Sequence, residues 1–224
     1  IGYLTNYKFK RPFVTIKLAI SLDGKIALKN KNSKWISNEL SRNFGHMLRA
    51  NSDGVMTTNS TIKEDDSKLT CRINGLEKHS PLKIVVDRGL TLNENYSIFK
   101  NAKKDNLIIY HSSKDQSKID NYPKNTVLVY INNKKKFLEL ILNDLANRKI
   151  KNLLIESGTI FSTEIIKANL VDQIAFFRSN KIIGNDGLPF VNSLNLKSIS
   201  DSINTKVINF KVFDNDIYEL RRLI

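Results

Sequence analysis

The sequence has little of what disulfides, metal sites and membrane segments require. Its single cysteine, Cys71, has no partner for a disulfide and no companion cysteines for a metal site, so we expect a reduced residue that fills space. No apolar run approaches the ~20 residues of a membrane-spanning helix, and the sequence does not open with a charged stretch followed by an apolar one. These absences lead us to expect a cytoplasmic protein with no metal and no membrane partner.

Acidic residues are also few, with 22 Asp and Glu against 36 Lys and Arg, which gives a formal charge of +14. Only nine of the 36 basic residues are arginine. Nucleic-acid-binding modules usually interleave such charge with aromatic residues that stack on bases, and the run 134–136 (KKK) has no such interleaving. We therefore expect a mild field that favours small anionic ligands and no nucleic-acid partner. A basic nucleic-acid-binding module is the alternative from another functional class.

No linker, low-complexity segment or internal repeat divides the chain, and its 224 residues fit one α/β domain. The sequence starts with Ile1 rather than Met, and residues 1–10 show no helix of their own before the first strand. We interpret residues 1–10 as the remnant of an inter-domain junction and residues 11–224 as the domain itself.

Short apolar runs alternate with helical patterns along most of the chain. Strands are expected at residues 13–20, 25–28, 54–56, 82–87, 106–111, 126–131 and 152–155, and helices at residues 38–50, 135–147 and 160–170. In the first helix Leu40, Phe44, Met47 and Leu48 share one face. This alternation predicts an α/β fold with a mostly parallel central sheet and helices on both faces.

The pattern changes after Val171. Strands are expected at residues 172–178, 181–184, 205–213 and 216–223, with a hairpin turn at Asp214 and Asn215. Antiparallel strands are therefore added to the sheet at the C-terminal end. The last two strands also offer an edge that another subunit could cover.

The stretch from Arg49 to Arg72 contains the first candidate site. A short apolar run is followed by the hydroxyl-rich segment 57–61 (TTNST) and then by the pair Asp65 and Asp66. Small side chains let backbone N–H groups approach a phosphate or ribose, and the two arginines are planar donors that can grip a phosphate. The plainer alternative is a strand, a Ser/Thr-rich turn and a solvated acidic pair.

Two further features suit a ligand site. Lys17 is the one charged residue of the first strand, where a lysine either snorkels to an edge, the commoner outcome, or points into a site. Glu156 follows a buried strand, at the position where open α/β sheets bind ligands. The next turn leads into a helix whose free N–H groups favour an anion, although such a turn is also ordinary α/β construction.

Six segments, in this order, resemble the reductase domain of the bifunctional riboflavin-biosynthesis deaminase/reductase over about residues 11–191. They are RPFVTIKLAISLDGKIA, SKWIS, HMLRANSDGVMTTNSTIKEDDSKLTCR, LKIVVD, NLLIESG and LVDQI. The resemblance implies a dihydrofolate-reductase-like fold, NADPH as hydride donor and a homodimer. It also implies reduction of the ribosyl group of a phosphorylated pyrimidine, 5-amino-6-(5-phosphoribosylamino)uracil, and a zinc deaminase domain preceding the reductase in the full-length protein.

The resemblance also assigns roles to residues. Those implied around the ribose that accepts hydride are Lys17, Asp65 and Glu156. Those implied as substrate contacts are Ser33, Arg49, Leu69, Arg72 and Glu156. Those implied on the NADPH side are Ala19, Trp35, Ser37, Thr61, Asp65, Gly158, Thr159, Ile160, Phe161, Ser162, Thr163 and Glu164. We expect the sheet to bring residues 17, 49, 65, 72 and 156 together at the opening of one ligand site.

The sequence departs from the family pattern at five positions. Many relatives have glycine in place of Thr58 and Ser60, proline in place of Ser67 and Asn180, and Gly or Ala in place of Ser157. Lys63 and Arg88 are equal candidates for the 2′-phosphate of NADPH. Alternative substrates for the same fold are the undeaminated pyrimidine or a pterin, of which the pterin fits less well with two arginines and Ser33 near the site.

Overall fold

The structure is a computed structural model, which describes residues 1–100 and 106–224. The described residues form two compact units that share the chain in alternating segments. The first unit comprises residues 1–13 and 48–154, and the second comprises residues 14–47 and 155–224. We describe each unit by itself.

The elements are short, as is usual in α/β proteins. The helices are α1 (Gly2–Phe9), α2 (Glu39–Ala50), α3 (Asn59–Asp65), α4 (Ser97–Lys100), α5 (Gln116–Asp120), α6 (Phe137–Asn147) and α7 (Thr159–Lys167). The strands are β1 (Phe13–Ile20), β2 (Lys25–Leu28), β3 (Gly54–Thr58), β4 (Leu82–Val86), β5 (Leu107–His111), β6 (Val127–Tyr130), β7 (Asn152–Ile155), β8 (Gln173–Arg178), β9 (Gly187–Pro189), β10 (Thr205–Phe213) and β11 (Asp216–Leu223).

Parallel strands make up the sheet of the first unit. β3 pairs with β4, β4 with β5 and β5 with β6, all in parallel, so that Thr58 lies beside Val86 and Val86 beside Tyr110. β3 and β5 are buried along their whole length, as expected of strands covered on both faces. The core on one face is a continuous apolar cluster that includes Val55, Ile62, Leu69, Val85, Ile98, Leu107, Ile109 and Leu154.

The second unit mixes strand directions. β1 and β8 pair in parallel, while β11 pairs antiparallel with both β8 and β10. β2 and β9 form a separate antiparallel pair. The turn between β10 and β11 falls at Asp214, whose φ is 53°, and Asn215. The predicted α/β fold, with mostly parallel strands and antiparallel strands at the C-terminal end, is therefore confirmed.

Three predictions about individual elements were wrong. Residues 2–9 form helix α1, whose apolar residues are scattered around the axis and leave no helical period to detect. Residues 181–184 are not a strand, because the Asp23 carboxylate takes the N–H groups of Ile183 and Gly184 at 3.0 and 2.6 Å. The hydroxyl-rich segment is the start of helix α3, with Thr58 as its N-cap.

The packing face of α2 was predicted in part, because Phe44 and Leu48 pack inward and Leu40 does not. Leu40 is 48% exposed, and the buried residues of the helix are the small Ser41 and Gly45 together with His46. Asn38 is the N-cap, since its Oδ1 accepts from the N–H of Ser41 at 2.9 Å. Small residues on this face allow the helix to approach the sheet closely.

Candidate active site

The predicted site residues are divided between the two units. Lys17, Ala19, Ser33, Trp35, Ser37, Glu156 and residues 158–164 belong to the second unit, and Arg49, Thr61, Asp65, Leu69 and Arg72 belong to the first. That these residues converge at one ligand site stays a prediction.

Lys17 lies in a slot between β1, β8 and α2. Its Nζ is 5.4 Å from the centroid of the Phe177 ring. Ala175, the residue paired with Lys17 across β1 and β8, is too small to displace the lysine. On the helix side, a Cβ added to Gly45 would lie 3.6 Å from Cε and 4.0 Å from Nζ of Lys17. The half-buried lysine is thus held over an aromatic face inside the second unit.

Phe177 belongs to an aromatic cluster that fixes its ring. The Phe177 ring centroid is 5.1 Å from that of Tyr218 and 6.2 Å from that of Phe44, which in turn packs on Tyr218 and Phe213 at 4.9 and 5.2 Å. Phe177 is 1% exposed. Burial raises the pKa of Tyr218 to about 12, so its phenol stays neutral at physiological pH.

Trp35 and Ser37 line a cavity of about 320 Å³ in the second unit. The other lining residues are Ile36, Asn38, Arg42, Asn180, Lys181, Asp214, Asn215 and Asp216. The Arg42 guanidinium lies 4.5 Å from the centroid of the Trp35 ring, and its Nη1 donates to the backbone carbonyl of Ser37 at 2.7 Å. Lys181 Nζ donates to the carbonyl of Trp35. Two predicted cofactor residues therefore share one cavity.

Sequence reasoning missed the residues that shape this cavity. Asp216 is buried and accepts from the N–H of Asn38 at 2.7 Å, while Asn38 Nδ2 donates to the carbonyl of Phe213 at 2.6 Å. These bonds join the start of α2 to the hairpin turn 214–215. The turn was predictable, but its partner lies 178 residues earlier and left no local signal.

The turn before α7 offers backbone donors to a ligand. Among the described residues no side chain caps this helix, and a Cβ built on its N-cap, Gly158, would meet nothing within 4 Å. Glu156, half-buried, precedes the turn directly after β7. The open space and the positive end of the helix dipole together suit a phosphate.

The threonine side chains of this turn form hydrogen bonds with the protein's own backbone. Thr163 Oγ1 donates to the carbonyl of Thr159 at 2.6 Å and accepts from the N–H of Asn192 at 2.9 Å, and Thr159 Oγ1 donates to the carbonyl of Pro189. Phe161 and Ser162 are buried, Glu164 is half-buried and Ile160 is 72% exposed. The segment therefore offers a ligand mainly its backbone N–H groups.

Hydroxyl groups cluster at the start of α3. Thr58 Oγ1 accepts from the N–H of Thr61 at 3.4 Å and lies 2.8 Å from Ser60 Oγ and 3.3 Å from Thr61 Oγ1. The Thr58 side chain thus caps its own helix. The carboxyl ends of β3 and β4 are adjacent here, because Thr58 pairs with Val86.

The two residues of the acidic pair have different surroundings. Asp66 accepts from the N–H and hydroxyl of Ser97 at 2.7 and 2.6 Å, and these bonds lower the pKa of its carboxyl group. Asp65 is the exposed last residue of α3. Asp66 thus anchors α4 to α3, and the assignment of Asp65 to the site stays a prediction.

Arg49 is held next to the other predicted substrate contacts of the first unit. Its Nη1 donates to the carbonyl of Thr70 at 3.0 Å, between Leu69 and Arg72. Leu69 is buried in the apolar cluster with φ of 54°, so a ligand would meet its backbone, whereas Arg72 is exposed. The structure therefore brings Arg49 to the 69–72 segment.

Asp87 is the centre of a buried network that follows β4. Its Oδ2 accepts from the N–H groups of Thr91 and Leu92 and from the hydroxyl of Tyr122, at 2.7, 2.9 and 3.1 Å. Its Oδ1 accepts from Thr91 Oγ1 and Asn59 Nδ2 at 3.1 and 3.2 Å. The carboxylate fixes both the loop 87–92 and the first residue of α3.

Solved structures are similar to this chain over its whole length. The diaminohydroxyphosphoribosylaminopyrimidine deaminase/5-amino-6-(5-phosphoribosylamino)uracil reductase of Thermotoga maritima aligns with a TM-score of 0.84 and 30% identity, covering 100% of this chain and 60% of that one. Dihydrofolate reductase from Enterococcus faecalis aligns with a TM-score of 0.51 and 13% identity, covering 94% and 96% of the two chains. The fold is therefore of the dihydrofolate reductase-like class.

The sequence itself identifies the family within that class. The model of the RibD C-terminal domain matches residues 12–218, and the chain belongs to this family. The riboflavin biosynthesis protein RibD of Aquifex aeolicus is 31% identical over 205 residues, which are 91% of this chain and 56% of that protein. The chain thus spans about half the length of the curated relatives it matches.

The described residues also give two negative findings. None of their helices is long and apolar enough to cross a membrane. They contain no group of three or more His, Cys, Asp or Glu side chains that could hold a metal ion. Cys71 is buried, and its N–H donates to Ser80 Oγ at 3.0 Å.

Proposed function

We propose that this chain reduces the ribosyl group of 5-amino-6-(5-phosphoribosylamino)uracil to the ribityl group, with NADPH as hydride donor, as a step of riboflavin biosynthesis. Membership of the RibD C-terminal domain family and 30% identity to the Thermotoga maritima deaminase/reductase support the reaction. The observation that carries the proposal is the Lys17 ammonium, held over Phe177 in a strand that has no other charged residue. An ammonium group held at a fixed point beside an aromatic ring suits a role in binding or proton transfer.

Three side chains are proposed to act on the sugar. The ribosylamine ring opens to an imine, and C1′ of the imine accepts the hydride, so ring opening needs a proton shuttle and the imine needs a proton. The Lys17 ammonium can donate that proton, and the carboxylates of Asp65 and Glu156 can accept and return one. When bound, the nicotinamide supplies the hydride. The enzyme contributes chiefly by holding the reacting groups close together.

Arg49 and Arg72 are proposed to hold the substrate phosphate, with Ser33 and the backbone of Leu69 as further contacts. The bond from Arg49 to the carbonyl of Thr70 uses one arm of a guanidinium that has five N–H donors. The exposed Arg72 lies two residues further along the same segment. Two planar cations at this spacing suit a phosphate monoester.

The proposed cofactor fits the described residues in several places. The uncapped first turn of α7 suits its pyrophosphate, and the cavity lined by Trp35 and Ser37 provides an aromatic surface and amide groups. Ala19, on β1 two residues after Lys17, and Thr61, at the start of α3, are the remaining proposed contacts. The dinucleotide would therefore be bound largely by backbone donors and small side chains.

Arg88 is the better of the two candidates for the 2′-phosphate. Its guanidinium lies 4.7 Å from the centroid of the Phe137 ring, and its carbonyl accepts from the N–H of Ser112 at 3.0 Å. Asp87 fixes the adjacent loop, so the cation is preorganised at the carboxyl end of β4. Lys63, an exposed residue in the last turn of α3, has no comparable support.

We also propose a cytoplasmic homodimer, and a full-length protein with a zinc deaminase domain before residue 11. The dimer is supported by β10, an edge strand on which Val207, Ile208, Phe210 and Val212 are 44–59% exposed. The additional domain is supported by the greater length of the curated relatives. Light scattering after size-exclusion chromatography would test the dimer.

Product analysis tests the proposed reaction. The purified chain should convert the deaminated pyrimidine and NADPH to a product heavier by two hydrogens, and it should convert the undeaminated pyrimidine and dihydropterin more slowly. NADPH should also quench the fluorescence of Trp35, the only tryptophan, which is 61% exposed. Preference for the undeaminated pyrimidine would reassign the substrate. Salt-sensitive RNA binding without NADPH binding would instead support a nucleic-acid-binding module.

A further inference from the structure

We infer that Phe177 is a positioning residue that holds the Lys17 ammonium charged and aimed, through the face of its aromatic ring. The inference rests on the role proposed above for Lys17. It adds a residue that is not itself proposed to touch either the substrate or the cofactor. It also explains how a lysine is held at one point within an apolar layer.

The register of β1 and β8 creates the geometry. Lys17 pairs with Ala175 and Ala19 pairs with Phe177, so all four side chains project from the same face of the strand pair. The small Ala175 leaves room directly across from the lysine, and the ring stands diagonally from it. On the opposite side Gly45 lacks the Cβ that would contact the Lys17 side chain. Two small residues and one ring thus border the Lys17 side chain on this face.

The ring is itself immobilised. Phe177 is 1% exposed and packs in a tilted arrangement against both Tyr218 and Phe44. A fixed ring loses no conformational freedom when it binds a cation, so its quadrupole acts on the ammonium at full strength. The aromatic cluster therefore serves as a rigid support for one charged group.

The interaction acts only on the charged lysine. The negative face of an aromatic ring attracts an ammonium at 5.4 Å, and it has no such attraction for a neutral amine. The ring therefore favours the protonated form that the proposed reaction needs for proton donation. A leucine of similar bulk would fill the space and leave the charge without this support.

Graded fluorination of residue 177 tests the inference without changing its shape. Phenylalanine carrying one, two or three ring fluorines would be incorporated at position 177, and the same series at Phe176 would serve as the control. Phe176 is the adjacent residue of β8, projects from the opposite face and packs on Phe190 at 5.2 Å. Phe177→Leu would complete the series.

We expect the single-turnover rate of reduction to fall stepwise with each fluorine at 177, by about 2- to 30-fold over the series. The KM for NADPH should stay constant, and the loss of activity at high pH should move to lower pH. The Phe176 series should change none of these. Equal effects at both positions, or a rate independent of fluorine number at 177, would overturn the inference.

A spectroscopic measurement separates this inference from the proposed reaction. The Cε protons of Lys17 lie near the ring face, so in the unmodified protein they should resonate upfield of those of other lysines. The displacement should disappear in Phe177→Leu. An upfield Lys17 in a protein that reduces neither pyrimidine would refute the proposed reaction and leave the positioning intact. An undisplaced Lys17 in an active enzyme would refute the positioning alone.

Discussion

Replacement of Asp87 should expose how strongly one buried carboxylate stabilises the first unit. The carboxylate is 0% exposed and accepts five hydrogen bonds, three through Oδ2 and two through Oδ1. In Asp87→Ala, the N–H of Leu92 and the hydroxyl of Tyr122 are left buried without an acceptor. Each such group costs about 1–3 kcal/mol, so we expect a loss of about 4 kcal/mol.

Asp87→Asn should reduce the free energy of unfolding by less, because the amide group can adopt either of two orientations. With its oxygen in the place of Oδ2 it keeps the bonds to Thr91, Leu92 and Tyr122, and its NH₂ then faces the amide of Asn59, which is also a donor. Because one hydrogen bond and the negative charge are lost, we expect the free energy of unfolding to fall by about 2–3 kcal/mol.

Tyr122→Phe provides the matched control, since it removes a single donor and keeps the ring. Burial and the Asp87 charge raise the pKa of Tyr122, so its hydroxyl stays protonated and donates throughout the physiological range. Its loss should cost about 1–2 kcal/mol. Urea unfolding of the three variants should give the order Tyr122→Phe, Asp87→Asn, Asp87→Ala from least to most destabilised. A cost below about 0.5 kcal/mol for Asp87→Asn, against a usual total stability of about 5–15 kcal/mol, would refute this reasoning.

Three further predictions concern charged groups. Asp66→Asn should lower the melting temperature by weakening the bonds to α4, whereas Asp65→Asn should slow single-turnover reduction and leave stability unchanged; the reverse result would exchange their roles. Hydrogen bonds hold the pKa of Asp23 at about 2, below its ordinary 3.8. The amide resonances of Ile183 and Gly184, which donate to this carboxylate, should therefore stay unchanged above pH 4 and be lost as pH falls toward 2. A midpoint of this loss near pH 4 would contradict the reasoning. Arg88→Gln should weaken NADPH binding about 10- to 100-fold without affecting NADH, and Lys63→Gln should change neither; loss of selectivity in the lysine variant alone would reassign the 2′-phosphate.

Local patterns were sufficient for most of the long strands and insufficient for contacts made across the sequence. The apolar runs of β1, β4 and β5 and the turn at Asp214 carry their own signals, because burial and backbone conformation act within a few residues. The segment 181–184 has the composition of a strand, yet Asp23, 161 residues before Gly184, takes its N–H groups. The residues around Gly184 give no sequence signal that Asp23 is its hydrogen-bond partner.

The same limit applies to the candidate site. The charge of Lys17 within an apolar strand was visible, but the ring beneath it comes from β8 and the missing Cβ from α2. The structural role of Asp66 likewise depends on Ser97, which lies 31 residues beyond it. Residue types could indicate where chemistry is possible, whereas the roles of neighbouring residues depended on distant partners.

The alternating segments of the two units have a consequence for biosynthesis. The first unit is complete once residue 154 has been made, but β1 must wait for β8, since Thr15 pairs with Gln173 158 residues later. During translation the apolar β1 therefore emerges well before its parallel neighbour β8 exists, and such late pairing slows folding and favours aggregation. Ribosome-bound chains arrested just after residue 154 should accordingly depend more on chaperones than the finished protein does.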